Sequence, residues 1–130
     1  MKEYVEKYQS YFYFVFRVLV GLLFLGHGLQ KFGVFGGNAM PLASLMGVAG
    51  VIEIVAGVAI TVGLFTRSLA LISAVQMLVA YFKVHAPNGM IPLLNKGEPA
   101  LLFFAAFLVL AGWGAGKWNL EKVFFKEEKF

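Results

Sequence analysis

The feature that most constrains this chain is the wide spacing of its charges. Between Tyr11 and Trp113, long apolar segments contain few ionisable side chains, and Glu53 and Glu98 are the only acidic residues there. Charged residues make up 14% of the chain and hydrophobic residues 60%, whereas about 25% of a soluble domain is charged. A helix of about 20 apolar residues is long enough to cross a bilayer. The chain is therefore predicted to be an integral membrane protein.

Four apolar segments are predicted to be transmembrane helices. Stretches rich in glycine and proline separate the first from the second and the third from the fourth, and a short Thr-Arg-Ser turn separates the middle two. The predicted fold is an all-α, integral membrane four-helix transmembrane bundle, a single domain over residues 1–130. Its spans are predicted at about 11–31, 42–65, 68–83 and 99–113, with residues 117–130 as an interfacial cytoplasmic tail.

Basic residues are distributed unequally between the two ends of this predicted bundle. Four spans place both termini on one side, and most lysines and arginines at helix ends lie on that side. Because cytoplasmic segments carry the excess of Lys and Arg, both termini are predicted to be cytoplasmic and the protein to cross the cytoplasmic membrane several times. The net charge of +4 reflects this orientation, and no nucleic-acid partner is expected. No small-residue cleavage site follows the first apolar run, so it is predicted to be a retained helix.

The chain contains no cysteine. Disulfides, thiolate metal sites and dithiol relays are therefore excluded for this chain alone. The sequence shows no haem, flavin or metal-binding motif, and its two histidines lack the spacing of a metal site. Any redox activity therefore requires a group that the chain does not itself carry.

Two ionisable residues lie well inside the predicted spans. Arg17 lies in the first span, and Glu53 lies near the middle of the second. An arginine at the centre of a span costs about 2.5–3.5 kcal/mol on insertion scales, so such residues are functional candidates by default. Arg17 and Glu53 are predicted to pair inside the bundle, either as part of a site or only to fix the register of the two helices.

Further polar side chains collect at the predicted extracytoplasmic end. His27 and Lys31 share a helical face with Arg17. Together with residues of the loop before the fourth span, they are suited to bind an anion or a quinone carbonyl; the alternative is that they are solvated residues at the membrane surface. Gln76, at mid-depth in the third span, is suited to bond across helices or to join this site. The candidate catalytic residues are Glu53, Arg17 and His27, and the candidate ligand-binding residues are Lys31, His85, Asn95, Glu98 and Gln76.

These landmarks occur in an ordered series that covers nearly the whole chain, from Arg17 to Trp113. The series consists of Arg17, Gly21, Phe24, His27-Gly28 and Lys31, then Glu53-x-x-x-Gly57, then GLFTR (63–67), then His85 with NGMIP and NKGE (95–98). Each motif alone is weak, but the five in this order resemble the DoxX family.

The resemblance implies a small four-helix membrane protein related to the membrane subunit of thiosulfate:quinone oxidoreductase and to redox and oxidative-stress systems. It implies an oxidoreductase component that handles a quinone as its cofactor, with electrons from a small donor, a sulfur compound being the candidate. The alternative is a non-catalytic membrane chaperone or an interaction subunit of a redox or stress complex. The expected partners are the lipid bilayer and either a soluble redox partner or a second copy of the chain.

Overall fold

The computed structural model describes all residues 1–130 and contains helices but no strands. Three helical stretches are long and apolar enough to cross a membrane, Lys2–Gln30, Leu45–Val62 and Thr66–Asn88, whereas the apolar helix Glu98–Trp113 is shorter. The chain is thus an all-helical membrane protein. Its α-helices are α1 (Lys2–Gln30), α2 (Leu45–Val62), α3 (Thr66–Ala80), α4 (Pro92–Asn95), α5 (Glu98–Trp113) and α6 (Leu120–Phe125).

The helix ends follow from local sequence. Helix α1 begins at Lys2, well before the predicted span near residue 11, because residues 2–10 contain neither glycine nor proline to stop it. Helix α2 begins after Ser44, whose hydroxyl oxygen accepts a hydrogen bond from the Gly47 amide at 3.1 Å. It ends at Val62, because the next residue, Gly63, adopts a left-handed conformation with φ of 77°.

Helix α3 does not end in the regular way that the sequence predicts. It continues through a π-helical turn at Tyr81–His85 and a 3-10 turn at Ala86–Asn88. Single π-helical turns are rare and frequently lie at functional sites. This one changes the direction of the side chains that follow Ala80, and two of these, Lys83 and His85, line the cavity described below.

The long helices form two hairpins that pack side by side. Helix α1 packs along α2 and α3 packs along α5, while α2 and α3 make the main contact between the hairpins. Glycines allow α1 and α2 to approach closely: Gly28 lies against Glu53 and Ile54, and Gly57 lies against the backbone of Leu25. The buried core side chains include Phe24, Ile60, Phe107 and Leu110.

Substitution of Gly57 by alanine should therefore destabilise the bundle. A Cβ at this position would lie 2.6 Å from the Leu25 backbone nitrogen and 2.7 Å from its Cα. Backbone atoms cannot move aside without separating the helices, so we expect a loss of about 1–3 kcal/mol in the free energy of unfolding in detergent micelles. Gly26→Ala is the matched control, because no atom lies within 4 Å of its added Cβ. Equal losses for the two variants would contradict this packing.

Candidate functional site

A cavity of about 320 Å³ lies between the two hairpins, at the end of the bundle opposite the chain termini. All four long helices contribute to its lining, and ten of its 18 lining residues are hydrophobic. Phe24, Met77 and Phe103 form part of the apolar wall. The volume lies within the range of about 300–1,000 Å³ that is typical of small-molecule sites.

The polar centre of the cavity is the carboxylate of Glu53 on α2. The Lys31 ammonium, at the end of α1, donates to both of its oxygens, at 3.0 Å to Oε1 and 2.8 Å to Oε2. Gln76 of α3 donates through Nε2 to Oε1 at 3.0 Å and to the Ala49 carbonyl at 3.4 Å. Three helices from both hairpins therefore meet at one carboxylate, which is 4% exposed.

Two groups in this cluster have hydrogen-bonding capacity that no other protein group uses. An ammonium group has three N–H bonds, and Glu53 accepts two of those of Lys31. The carbonyl oxygen of the Gln76 side chain is buried and has no hydrogen-bond partner. The cluster thus retains one donor and one acceptor beyond those that the ion pair uses, and of these the buried carbonyl oxygen of Gln76 is a group that a well-packed core normally satisfies.

The two histidines lie on the cavity wall but in different environments. His27 is exposed, and its ring packs edge-to-face on Phe103 with centroids 5.4 Å apart. His85 is half-buried, and its Nδ1 lies 3.2 Å from the carbonyl oxygen of Asn95. A carbonyl oxygen can only accept, so Nδ1 is the donor in this contact and Nε2 is left without a hydrogen-bond partner in the protein. The Nε2 atom of His85 is therefore available for a contact with a ligand in the cavity.

Two lysines complete the lining of the cavity, and neither was among the predicted site residues. Lys83 belongs to the π-helical turn, and Lys96 lies between α4 and α5. The sequence places Lys83 seven residues after Gln76, on the same face of a helix, which was the available signal. No comparable periodicity exists for Lys96, because the loop conformation alone brings it to the cavity.

Two of the predicted ligand-binding residues, Asn95 and Glu98, do not line the cavity. Glu98 is exposed at the first position of α5. The side chain of Asn95 is 3% exposed and holds the preceding loop together, donating to the Gly89 carbonyl at 2.8 Å and accepting from the Gly97 amide at 2.8 Å. Asn95 therefore contributes through loop structure and through the carbonyl that orients His85.

The predicted pairing of Arg17 with Glu53 is wrong. Arg17 is buried at the opposite end of the bundle, where its guanidinium donates to four backbone carbonyls. The acceptors are Ala115 at 2.5 Å, Trp118 at 3.0 Å, Lys117 at 3.1 Å and Thr61 at 3.3 Å. Arg17 therefore attaches the C-terminal segment to α1 and α2 and takes no part in the cavity.

The register of α1 against α2 explains this separation. The two helices are antiparallel, and a Cβ at Gly28 would lie 2.9 Å from the Glu53 Cβ, so these two residues face each other. Arg17 precedes Gly28 by three helical turns, about 16 Å at 1.5 Å per residue. It faces Gly63 instead, where an added Cβ would lie 3.3 Å from the Arg17 Cζ. The loop between the helices fixes this register.

Comparison with known proteins places these features in a family. The model of the DoxX family matches residues 12–86, which include most of the cavity-lining residues. An uncharacterised protein of Haemophilus influenzae is 41% identical over 131 residues, covering 95% of this chain and 98% of that protein. An uncharacterised membrane protein of Mycobacterium tuberculosis is 30% identical over 125 residues, covering 82% of this chain and 77% of that protein. No solved structure matches the chain significantly. The chain belongs to the DoxX family.

Proposed function

We propose that this protein is a membrane oxidoreductase component that binds a quinone headgroup in the cavity between the hairpins. The observation that carries the proposal is the composition of the cavity. An apolar slot with aromatic side chains surrounds a hydrogen-bonded Lys31–Glu53–Gln76 cluster and two histidines. A quinone ring is flat and apolar, with carbonyl oxygens that accept hydrogen bonds, and this lining offers both kinds of contact.

The residues have distinct parts in this proposal. Phe24 and Phe103 contact the ring, while the free N–H of Lys31 and the imidazole of His27 donate to the carbonyl oxygens. A bound quinone would supply the redox chemistry, because its reduction to the quinol takes up two electrons and two protons. His85 is the candidate proton carrier, because it lines the cavity and its Nε2 has no hydrogen-bond partner in the protein. The electrons come from a small donor, for which a sulfur compound is the candidate.

We further propose that all four long helices cross the cytoplasmic membrane, with both chain termini in the cytoplasm. The support is charge. Lysines and arginines are concentrated at the end that carries the termini, which includes Arg67 and the lysines of residues 117–129. The cavity then lies on the extracytoplasmic side, where its electron donor would have to arrive.

Quinone binding is tested with purified protein in lipid nanodiscs and a short-chain benzoquinone as the probe. We expect saturable binding, measured by equilibrium dialysis. His27→Ala should weaken it by about tenfold, which corresponds to 1.4 kcal/mol, with only a small loss of thermal stability, because His27 is exposed, makes no hydrogen bond and packs only edge-to-face on Phe103. Glu98→Gln is the matched control, since Glu98 lies at the same end of the bundle but outside the cavity. It should bind as the unaltered protein does.

Failure of the stable protein to bind the probe would contradict the proposal and favour the non-catalytic chaperone or interaction role. Equal effects of His27→Ala and Glu98→Gln on binding would show that the probe binds outside this cavity. The oxidoreductase part of the proposal requires a further result. Membranes that contain the protein should reduce the quinone when a sulfur donor is added, and membranes without it should not.

A further inference from the structure

The segment between the regular ends of α3 and α5, residues 82–96, exposes an unusual amount of apolar surface. Four large apolar side chains within residues 90–94 are exposed: Met90 is 76% exposed, Ile91 56%, Leu93 75% and Leu94 76%. Leaving such side chains in water forgoes about 1.5–3 kcal/mol for each that could be buried. A loop in water would not be expected to carry them together.

The lengths of α3 and α5 indicate what covers this surface. The two helices have 15 and 16 residues, which correspond to about 22 Å and 24 Å at 1.5 Å per residue. They are level at the end near the termini, because Arg67 of α3 donates to the Ala111 carbonyl at 3.1 Å and the Gly112 carbonyl at 2.6 Å, in the last turn of α5. At the other end, Gly97 lies directly against the ring of Tyr81.

The regular helices of this hairpin are therefore shorter than the membrane that they have to cross, and α3 reaches the required length only with its irregular continuation through Asn88. The hydrocarbon core of a bilayer is about 30 Å thick, so the regular helices fall short by about 6–8 Å. Residues 82–96 extend beyond Tyr81 and Gly97 and occupy that remaining depth. The apolar side chains at positions 90–94 are then at the level of lipid acyl chains.

Irregular backbone at membrane depth requires that its polar groups find partners within the protein. In this segment, side chains provide several of them. Asn95 binds the Gly89 carbonyl, the Gly97 amide and the hydroxyl of Tyr81, and that hydroxyl lies 3.4 Å from the Met90 carbonyl. The side-chain amide of Asn88 donates through Nδ2 to the Val84 carbonyl at 3.2 Å. The buried Asn95 is thus the centre of a network that supplies several of these partners.

We propose that residues 82–96 form a re-entrant segment embedded in the outer leaflet, with Leu93 and Leu94 among the acyl chains and the ammonium groups of Lys83 and Lys96 at the lipid phosphates. Long lysine side chains reach the interface from such a depth. The inference rests on the membrane placement proposed above, but not on the identity of the ligand. Because Lys83, Val84, His85 and Lys96 also line the cavity, its rim lies at the level of the lipid, and an apolar ligand enters from the leaflet.

The absence of cysteine makes this placement directly measurable. Single cysteines at positions 93 and 94 of the full chain in nanodiscs carry a nitroxide spin label, and collision rates with oxygen and with a water-soluble nickel chelate are compared. Oxygen concentrates in lipid and the chelate stays in water. Val75→Cys is the lipid reference, because Val75 is 61% exposed at mid-length of α3, and Glu3→Cys is the aqueous reference.

We expect the oxygen-to-nickel collision ratios at positions 93 and 94 to approach the ratio at position 75. Ratios that match position 3, while position 75 retains a lipid value, would overturn the re-entrant segment and leave the membrane placement intact. An aqueous ratio at position 75 would instead overturn the membrane placement itself. All three substituted positions in the membrane region are exposed in the free protein, so labelling does not disturb its core.

Discussion

Replacement of Lys31 by methionine should lower the free energy of unfolding by about 3–5 kcal/mol, the usual cost of removing one partner of a buried ion pair. The reason lies in the remaining carboxylate. Glu53 is 4% exposed, and without Lys31 its only side-chain donor is Gln76. The loss is measured by unfolding in mixed detergent micelles, with circular dichroism as the signal.

Substitution of the other partner, Glu53, should lower the free energy of unfolding by less. Glu53→Gln leaves the Lys31 ammonium unpaired, but the Lys31 side chain is 18% exposed and lies at the end of α1, so it reaches water. In the double variant neither charge is stranded. The sum of the two single losses in unfolding free energy should therefore exceed the loss of the double variant Lys31→Met/Glu53→Gln, with a coupling energy of about 1–3 kcal/mol.

Lys83 provides the control for this cycle. It lines the same cavity but forms no ion pair with Glu53. Lys83→Met and Glu53→Gln should be additive within about 0.5 kcal/mol. If the Lys31 cycle proved equally additive, the ion pair would contribute nothing to stability, and the central geometry of the cavity would have to be rejected.

The sequence allowed the fold class to be predicted because hydrophobicity over windows of about 20 residues is a strong signal. It could not show that α3 continues through a π-helical turn, or that the polar loop exposes Leu93 and Leu94. Both features depend on a network centred on Asn95, whose partners are local in space but share no periodicity. Side-chain type alone made Asn95 a candidate ligand-binding residue.

The candidate site was predicted in part. Helical periodicity placed His27 and Lys31 on one face of α1, and the structure brings both to the cavity with Glu53, Gln76 and His85. The partner of Glu53 was assigned incorrectly, because the choice between Arg17 and Lys31 depends on the register of α1 against α2. That register is fixed by glycine contacts and by the loop, and about four helical turns separate Arg17 from Lys31.

Arg17→Met is expected to release the C-terminal segment from the bundle. Methionine retains most of the buried hydrocarbon but removes the hydrogen bonds to the carbonyls of Thr61, Ala115, Lys117 and Trp118. Hydrogen bonds to a charged group contribute about 1.5–3 kcal/mol each, and their contributions overlap, so we expect a total loss of about 3–5 kcal/mol. Hydrogen exchange followed by mass spectrometry should show faster exchange at residues 115–118.

Hydrogen exchange at residues 129–130 should respond less to Arg17→Met, because Glu121 attaches these residues separately. Glu121 is 1% exposed and accepts from the backbone amides of Phe65 at 3.0 Å, Lys129 at 2.7 Å and Phe130 at 3.1 Å. Glu121→Ala is therefore the matched variant, and it should accelerate exchange at residues 129–130 rather than at 115–118. Since Arg17 and Glu53 share no partner, Arg17→Met combined with Glu53→Gln should be additive within about 0.5 kcal/mol. A coupling above about 1 kcal/mol between these two substitutions would indicate that Arg17 and Glu53 interact directly. It would contradict the conclusion that Arg17 holds the C-terminal segment and takes no part in the cavity.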